Sequence, residues 1–205
     1  MESLDTAQPA RKRGRPTEVE RVERRAQILQ AALPVFLEYG FGATTVDQLA
    51  TAARITKRTL YSYFGNKAGV FTEMQRRLAA TVSGDVPAHD TLVSLASRIV
   101  LRLHSAEMVG LHRLVIAESL RFPELARILY ENGDLRHISR LADRIQIEWG
   151  LETGPSAEAL YSLLLGEDYR RRLLGLIGPA TTAEATKHAL AALATIGIGR
   201  GDISA

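Results

Sequence analysis

Lys57, Arg58 and Thr59, followed at short spacing by Tyr61, Ser62 and Tyr63, are the residues best suited to chemistry. On a helix that begins at Lys57, the residues Ile55, Leu60 and Phe64 make one apolar stripe, and Lys57, Arg58, Thr59, Ser62 and Tyr63 lie largely off it. Cations, hydroxyls and a phenol presented at a positively polarised helix N-terminus can hold phosphates and read base edges. That is recognition chemistry, and no bond-making group is among them.

These residues belong to the stretch Thr45 to Phe64, TVDQLATAARITKRTLYSYF. Val46, Leu49 and Ala50 form a first apolar-periodic segment, and Ile55, Leu60 and Phe64 a second one a few residues later, so each buries a face against the other. The pattern is a helix-turn-helix. Thr45 with Gln48 fits a capping box, and Thr56 is the N-cap expected for the second helix. A preceding helix is expected from Thr17 to Tyr39, with Val22, Ala26, Leu29, Leu33, Phe36 and Leu37 on one face and Gly40 at its end. Pro34 predicts a kink between Gln30 and Pro34. Phe36 and Phe41 are expected in a small core with Leu49, Leu60 and Phe64. Lys67 opens a further helix, capped by Asn66 and carrying Val70, Phe71, Met74 and Leu78.

Ahead of these helices, residues 1–17 lack periodicity and are expected to be a disordered basic arm. Arg11-Lys12-Arg13-Gly14-Arg15-Pro16 looks like the core of an AT-hook, which would lay Arg13 and Arg15 in a narrow minor groove; a solvated tail is the competing reading. After Ser83-Gly84-Asp85-Val86-Pro87, where the pattern breaks, everything reads as helix: about 89–104, 107–120, 123–149 with a weak point at Asn132-Gly133, 156–176 and 182–196. The fold class is all-α: an N-terminal three-helix helix-turn-helix domain (18–66) and a C-terminal helical effector and dimerisation domain (67–205) that includes the connecting helix.

Residues Thr45-Val46, Leu49-Ala50, Thr59-Leu60-Tyr61, Phe64 and Lys67 resemble the DNA-binding domain of the TetR family of transcriptional regulators. Two residues depart from the family pattern: Arg54 stands where the turn usually has a glycine, and Tyr63 where a histidine precedes the Phe. A left-handed backbone at Arg54 costs on the order of 1 kcal/mol. The stretch Leu114 to Leu125, LVIAESLRFPEL, resembles the effector domain of the AefR-like subgroup. The resemblance implies a dimeric repressor on a pseudo-palindromic double-stranded operator, released by a small amphipathic effector. It further implies that Lys57, Arg58 and Thr59 read base edges with Tyr63 at the groove's edge, that Thr45, Thr56, Tyr61 and Lys67 hold phosphates, and that the last two helices pair with their copies. Leu160, Leu163, Leu164, Ala189 and Leu193 are the interface residues expected there, and a homodimer is the expected assembly.

Composition narrows the remaining classes. Residues 1–80 carry 13 Lys and Arg against 8 Asp and Glu, and residues 81–205 carry 13 against 15, so the net +3 is concentrated beside the helix-turn-helix. That is the footprint of a polyanion partner. There is no cysteine, and no apolar run approaches the roughly 20 residues of a membrane span, so a cytoplasmic protein without membrane contact is expected. The five histidines make no ligand spacing, and no phosphate loop, nucleophile elbow or carboxylate pair appears. Neither a cofactor nor an enzymatic activity is expected. Polar groups among apolar ones in the middle helices, His104, Met108, His112, Arg113, Glu118, Tyr130, His137 and Trp149, are the candidates for contacting an effector. An effector-independent architectural DNA-binding or helical interaction protein is the alternative.

Overall fold

Short polar side chains placed just before apolar-periodic runs start the helices of this chain. Thr17, Thr45 and Thr181 each form a capping box, with Glu20, Gln48 and Glu184 reaching back to the cap amide. Thr56, Thr91 and Ser105 accept an amide three residues on, and each such cap contributes about 1 kcal/mol. The computed structural model describes residues 17–80, 90–150 and 154–197. Its elements are α1 (Glu18–Ala43), α2 (Val46–Ala52), α3 (Lys57–Phe64), α4 (Lys67–Ala80), α5 (Leu92–Leu103), α6 (Ala106–Glu118), α7 (Pro123–Leu129), a π-helical turn (Tyr130–Asp134), α8 (Leu135–Trp149), α9 (Gly154–Leu173) and α10 (Thr182–Thr195). No strand occurs among the described residues, so the fold is all-α. The basic arm with Arg13 and Arg15, and the break at 83–87, lie outside the described residues.

The kink expected at Pro34 is absent from the backbone dihedrals. Pro34 lies inside α1, and the non-helical residue there is Gly40 (φ 75°, ψ 168°). This left-handed glycine breaks the helix and leaves 41–43 as a final turn, sealed by Thr44, whose amide and hydroxyl both donate to the Gly40 carbonyl. At Asn132-Gly133, where the sequence is weak, the helix widens into the π turn and resumes.

Two buried cores divide the helices. One packs α5, α8, α9 and α10 through residues such as Ile99, Leu103, Leu141, Leu160, Leu164 and Ala189. The other contains the helix-turn-helix residues Leu49, Leu60 and Phe64, but it continues through α1 and α4 into Met108, Leu111, Leu114 and Val115 of α6 and Leu125 of α7. Phe36, Phe41, Phe71 and Phe122 stand edge-on or offset within it, with Phe41 and Phe122 4.9 Å apart. Thus α6 and α7 are packed as part of the helix-turn-helix core.

Candidate DNA-reading head and effector cavity

The helix-turn-helix turn runs through Arg54, which has φ 52° and is the one non-glycine with a left-handed backbone among the described residues. The turn therefore keeps the geometry that a glycine would take without strain. Leu60 and Phe64 anchor α3 in the core, so Lys57, Arg58, Tyr61 and Ser62 are exposed and Thr59 and Tyr63 half-buried. The Lys57 ammonium sits 2.7 Å from Asp47 of α2, a carboxylate that holds it in place and raises its pKa. The Thr56 and Thr59 hydroxyls share a hydrogen bond at 2.9 Å. Tyr63 lies tilted on Phe64, closer to the core than to the exposed face. Thr45 and Thr56 spend their oxygens on caps and keep their hydroxyls at exposed helix starts.

Lys67 departs from the expectation of a phosphate contact. Its ammonium donates to the carbonyls of Phe41 (2.7 Å), Gly42 (3.0 Å) and Thr44 (2.7 Å), and it lies 4.8 Å from the centre of the Phe41 ring. All three of its protons are used, and burial lowers its pKa. It locks the start of α4 to the end of α1. Glu118, expected at an effector, instead accepts the Gly42 amide on Oε1 at 2.8 Å, so the last turn of α6 holds the same turn of backbone.

A cavity of about 410 Å³ opens between α6, α7, the π turn and α9. Val115, Ile116, Leu129 and Leu165 give it an apolar wall, and Tyr130, Tyr161 and Tyr169 an aromatic one. Burial pushes His112 down to about 4 and raises both Tyr161 and Tyr169. At neutral pH the Tyr169 hydroxyl therefore shares a hydrogen bond with the uncharged His112 at Nδ1. Asp134, raised by burial against the opposing Tyr161 phenol, accepts that phenol at 2.7 Å. Among the described residues no Lys or Arg lines the cavity, which disfavours anionic ligands and suits a neutral, partly aromatic one.

Residues 28–74 match the description "Bacterial regulatory proteins, tetR family", and residues 90–196 match "AefR-like transcriptional repressor, C-terminal domain". The chain belongs to the TetR family. It is a DNA-binding transcriptional regulator, and the family is one of regulators rather than enzymes. The uncharacterized HTH-type transcriptional regulator YdeS of Bacillus subtilis (strain 168) is 31% identical over 152 residues, 73% of this chain and 74% of that protein. The probable acrEF/envCD operon repressor of Escherichia coli (strain K12) is 29% identical over 56% of this chain and 50% of its own length. Among solved structures, the Flavonoid-responsive Regulator FrrA superposes with a TM-score of 0.67 at 28% identity, covering 85% of this chain and 95% of that one. A TetR-family regulator from Mesorhizobium loti MAFF303099 gives 0.66 at 25%, covering 88% and 97%.

Within this TetR-family chain, His112 and Tyr130 are the expected effector residues that line the cavity. His137 stands just behind it, stacked 6.1 Å from Tyr161 with Nδ1 unpartnered. The other candidates are elsewhere. Met108 is buried in the helix-turn-helix core, Arg113 caps α9 by donating to the Leu173 and Arg172 carbonyls, and Trp149 is half-exposed at the far end of α8. His104 is buried, bonded through Nε2 to the Leu164 carbonyl. Sequence reasoning missed Asp134, Tyr161 and Tyr169. A hydroxyl or carboxylate recurring on otherwise apolar faces was the available signal.

The expected dimer residues also need correction. Leu160, Leu164 and Ala189 are each 0% exposed and Leu193 is 4% exposed, so they pack in this chain's own core rather than on its surface. Leu163 is half-buried beside a groove shared with Lys187, His188, Ala191 and Thr195. The exposed sides of α9 and α10, away from these leucines, lie at the surface.

Proposed function

We propose that the chain is a cytoplasmic homodimeric repressor that binds a pseudo-palindromic operator and leaves it when a small amphipathic, uncharged aromatic molecule enters the cavity between α6, α7 and α9. Residues 18–66 serve as the reading head and residues 67–205 as the effector and dimerisation part. Lys57, Arg58 and Thr59 read base edges, and Thr45, Thr56 and Tyr61 position the head on phosphates. Dimerisation through the exposed faces of α9 and α10, with Leu163 between them, sets two copies of α3 about 34–36 Å apart, one turn of duplex. FrrA, whose name marks it as flavonoid-responsive, is a neighbour whose ligand class is compatible with three tyrosines and a neutral histidine.

The observation that carries this reading is the pair of contacts on the final turn of α1. His112, Val115 and Ile116 of α6 face the cavity, while Glu118, at the end of the same helix, holds the Gly42 amide and Phe122 packs on Phe41. A ligand that shifts α6 and α7 moves the backbone from which α2 starts. It can do so only to the extent that it binds the two arrangements unequally.

Selection of bound duplexes from a random pool at about 0.15 M salt, which screens weak phosphate attraction, tests the proposal. An enriched inverted repeat is expected. Enrichment of AT-rich DNA without symmetry would overturn it in favour of an architectural protein. Arg58→Ala should then cost about 1–3 kcal/mol at particular positions of the repeat.

A further inference from the structure

Arg172, near the end of α9, has only distant counter-ions, Asp168 at 4.0 Å and the exposed Glu184, which feels its charge. Its side chain is 6% exposed, and Nε and Nη1 are buried without a hydrogen-bond partner. The nearest carboxylate oxygen, on Asp168, is 4.0 Å away, beyond hydrogen-bond reach, and that side chain is half-exposed and shared with Arg171. A guanidinium buried in this way is held at a large desolvation cost unless an anion reaches it.

Arg172 lines a second cavity, of about 180 Å³, with His104, Ser105, Ala106, Arg113 and Gly178. The wall formed by Ser105 and Ala106 is the N-terminus of α6, a 13-residue helix. Ser105 takes the Met108 amide on its hydroxyl and the Val109 amide on its carbonyl. The Ala106 and Glu107 amides are left open at the positive end of the helix dipole. Arg113 brings a second guanidinium to the rim, with Nε and Nη2 donating to α9 carbonyls. Glu107, the carboxylate of that first turn, is drawn off to Arg102 at 2.8 Å.

We propose that this cavity binds a small oxyanion, a phosphate or carboxylate group, with Arg172 as its buried counter-ion and the first amides of α6 as its hydrogen-bond donors. The volume admits such a group, and the cavity shares no lining residue with the effector cavity, so the site is distinct from it. The group is either a free ion or the charged end of a larger molecule leaving past Gly178, which is exposed with open space around its Cα.

The test is calorimetric titration of the full chain with inorganic phosphate and, separately, methyl phosphate, at an ionic strength held constant with chloride. Saturable binding of inorganic phosphate is expected, weakened at least tenfold in Arg172→Met. Because that variant removes a buried side chain, Ser105→Asp is run beside it: aspartate caps as well as serine, so α6 is kept while a carboxylate is placed where the ligand would sit, and binding should again fall at least tenfold. Methyl phosphate binding as well as inorganic phosphate supports the site and identifies its ligand as a tethered group; a tenfold preference for inorganic phosphate supports it as a free-ion site. Absence of saturable binding, or unchanged affinity in a folded Ser105→Asp, overturns the proposal.

Discussion

Replacing His137 by Phe should change how stability depends on pH more than stability itself. The ring is 2% exposed, stacks on Tyr161 at 26°, and has Nδ1 unpartnered. Burial, with Arg140 and His112 adding to it, pushes its pKa from 6.5 to about 4. The folded value lies below the unfolded one, so the stabilisation is complete above about pH 6.5 and is lost as pH falls towards 4, where the unfolded chain takes a proton that the folded chain refuses. Between these limits one such histidine gives a slope of about 1.4 kcal/mol per pH unit, so lowering the pH from 7.5 to 5 costs about 2 kcal/mol. His104 and His112 are shifted in the same direction, both to about 4 and chiefly by burial. Asp134, raised by burial, works the other way, because protonation relieves its buried charge as the pH falls. The difference between wild type and variant removes these shared contributions. Phe keeps the stacked ring and cannot titrate, so urea unfolding at fixed protein concentration should show the His137→Phe slope shallower by about 1.2 kcal/mol per pH unit between pH 6 and 5. Parallel stability curves for the two proteins would refute the argument that a buried neutral imidazole sits there.

Lys67→Met should lower stability by about 1–3 kcal/mol by orphaning three carbonyls and leave the salt dependence of DNA binding unchanged. A loss of about one unit of salt slope would restore the lysine as a phosphate contact. Glu118→Ala should cost a similar ~1–3 kcal/mol and speed hydrogen exchange at the Gly42 amide; an unchanged exchange rate there would mean that the contact does not hold the turn. Leu164→Ala should cost about 2–5 kcal/mol of protomer stability, whereas Leu163→Asp should dissociate the dimer in sedimentation velocity and leave the protomer folded. The reverse pattern would return the buried leucines to the interface.

What was legible in the sequence was local. The Thr45-x-x-Gln48 cap, the Arg54 turn and the weak Asn132-Gly133 step depend on residues within one or two turns, and each appears where the pattern puts it. Periodicity also shows which face of a helix is buried, but not against what. The leucines of α9 were a core stripe in either reading, and only the packing of α5, α8 and α10 around them assigns them to the protomer rather than the interface. Lys67 and Glu118 were misread for the same reason. Their partners lie 23–26 and 76 residues away, and a charged side chain whose acceptor is a distant backbone group carries no trace of it in its neighbours. Pro34 is the converse, a strong local rule overridden by its surroundings: it sits on an exposed position of α1, where the helix tolerates it, and the break moves to the glycine six residues on.

Under the proposed function, the shared core would couple the reading head to the effector half by direct packing. Leu111, Leu114 and Val115 of α6 are as deeply buried against Phe36, Phe71 and Met74 as the helix-turn-helix residues are. A close-packed interior of this kind transmits displacement because it cannot absorb it. The polar contacts then decide what the displacement reaches. Glu118 and Lys67 both bond the Gly42 region, and both bonds end on backbone rather than on side chains that could rotate away. Movement of α6 therefore has to break the Glu118 bond or carry residues 41–44 with it, and α2 begins two residues beyond Thr44. The left-handed Gly40 is where α1 can let that turn swing, since no β-carbon opposes the change in dihedral. A residue with a side chain at that position would stiffen the turn, and its β-carbon would lie 3.0 Å from Glu118 Oε1, so the positive-φ glycine sits against the carboxylate that bonds the Gly42 amide.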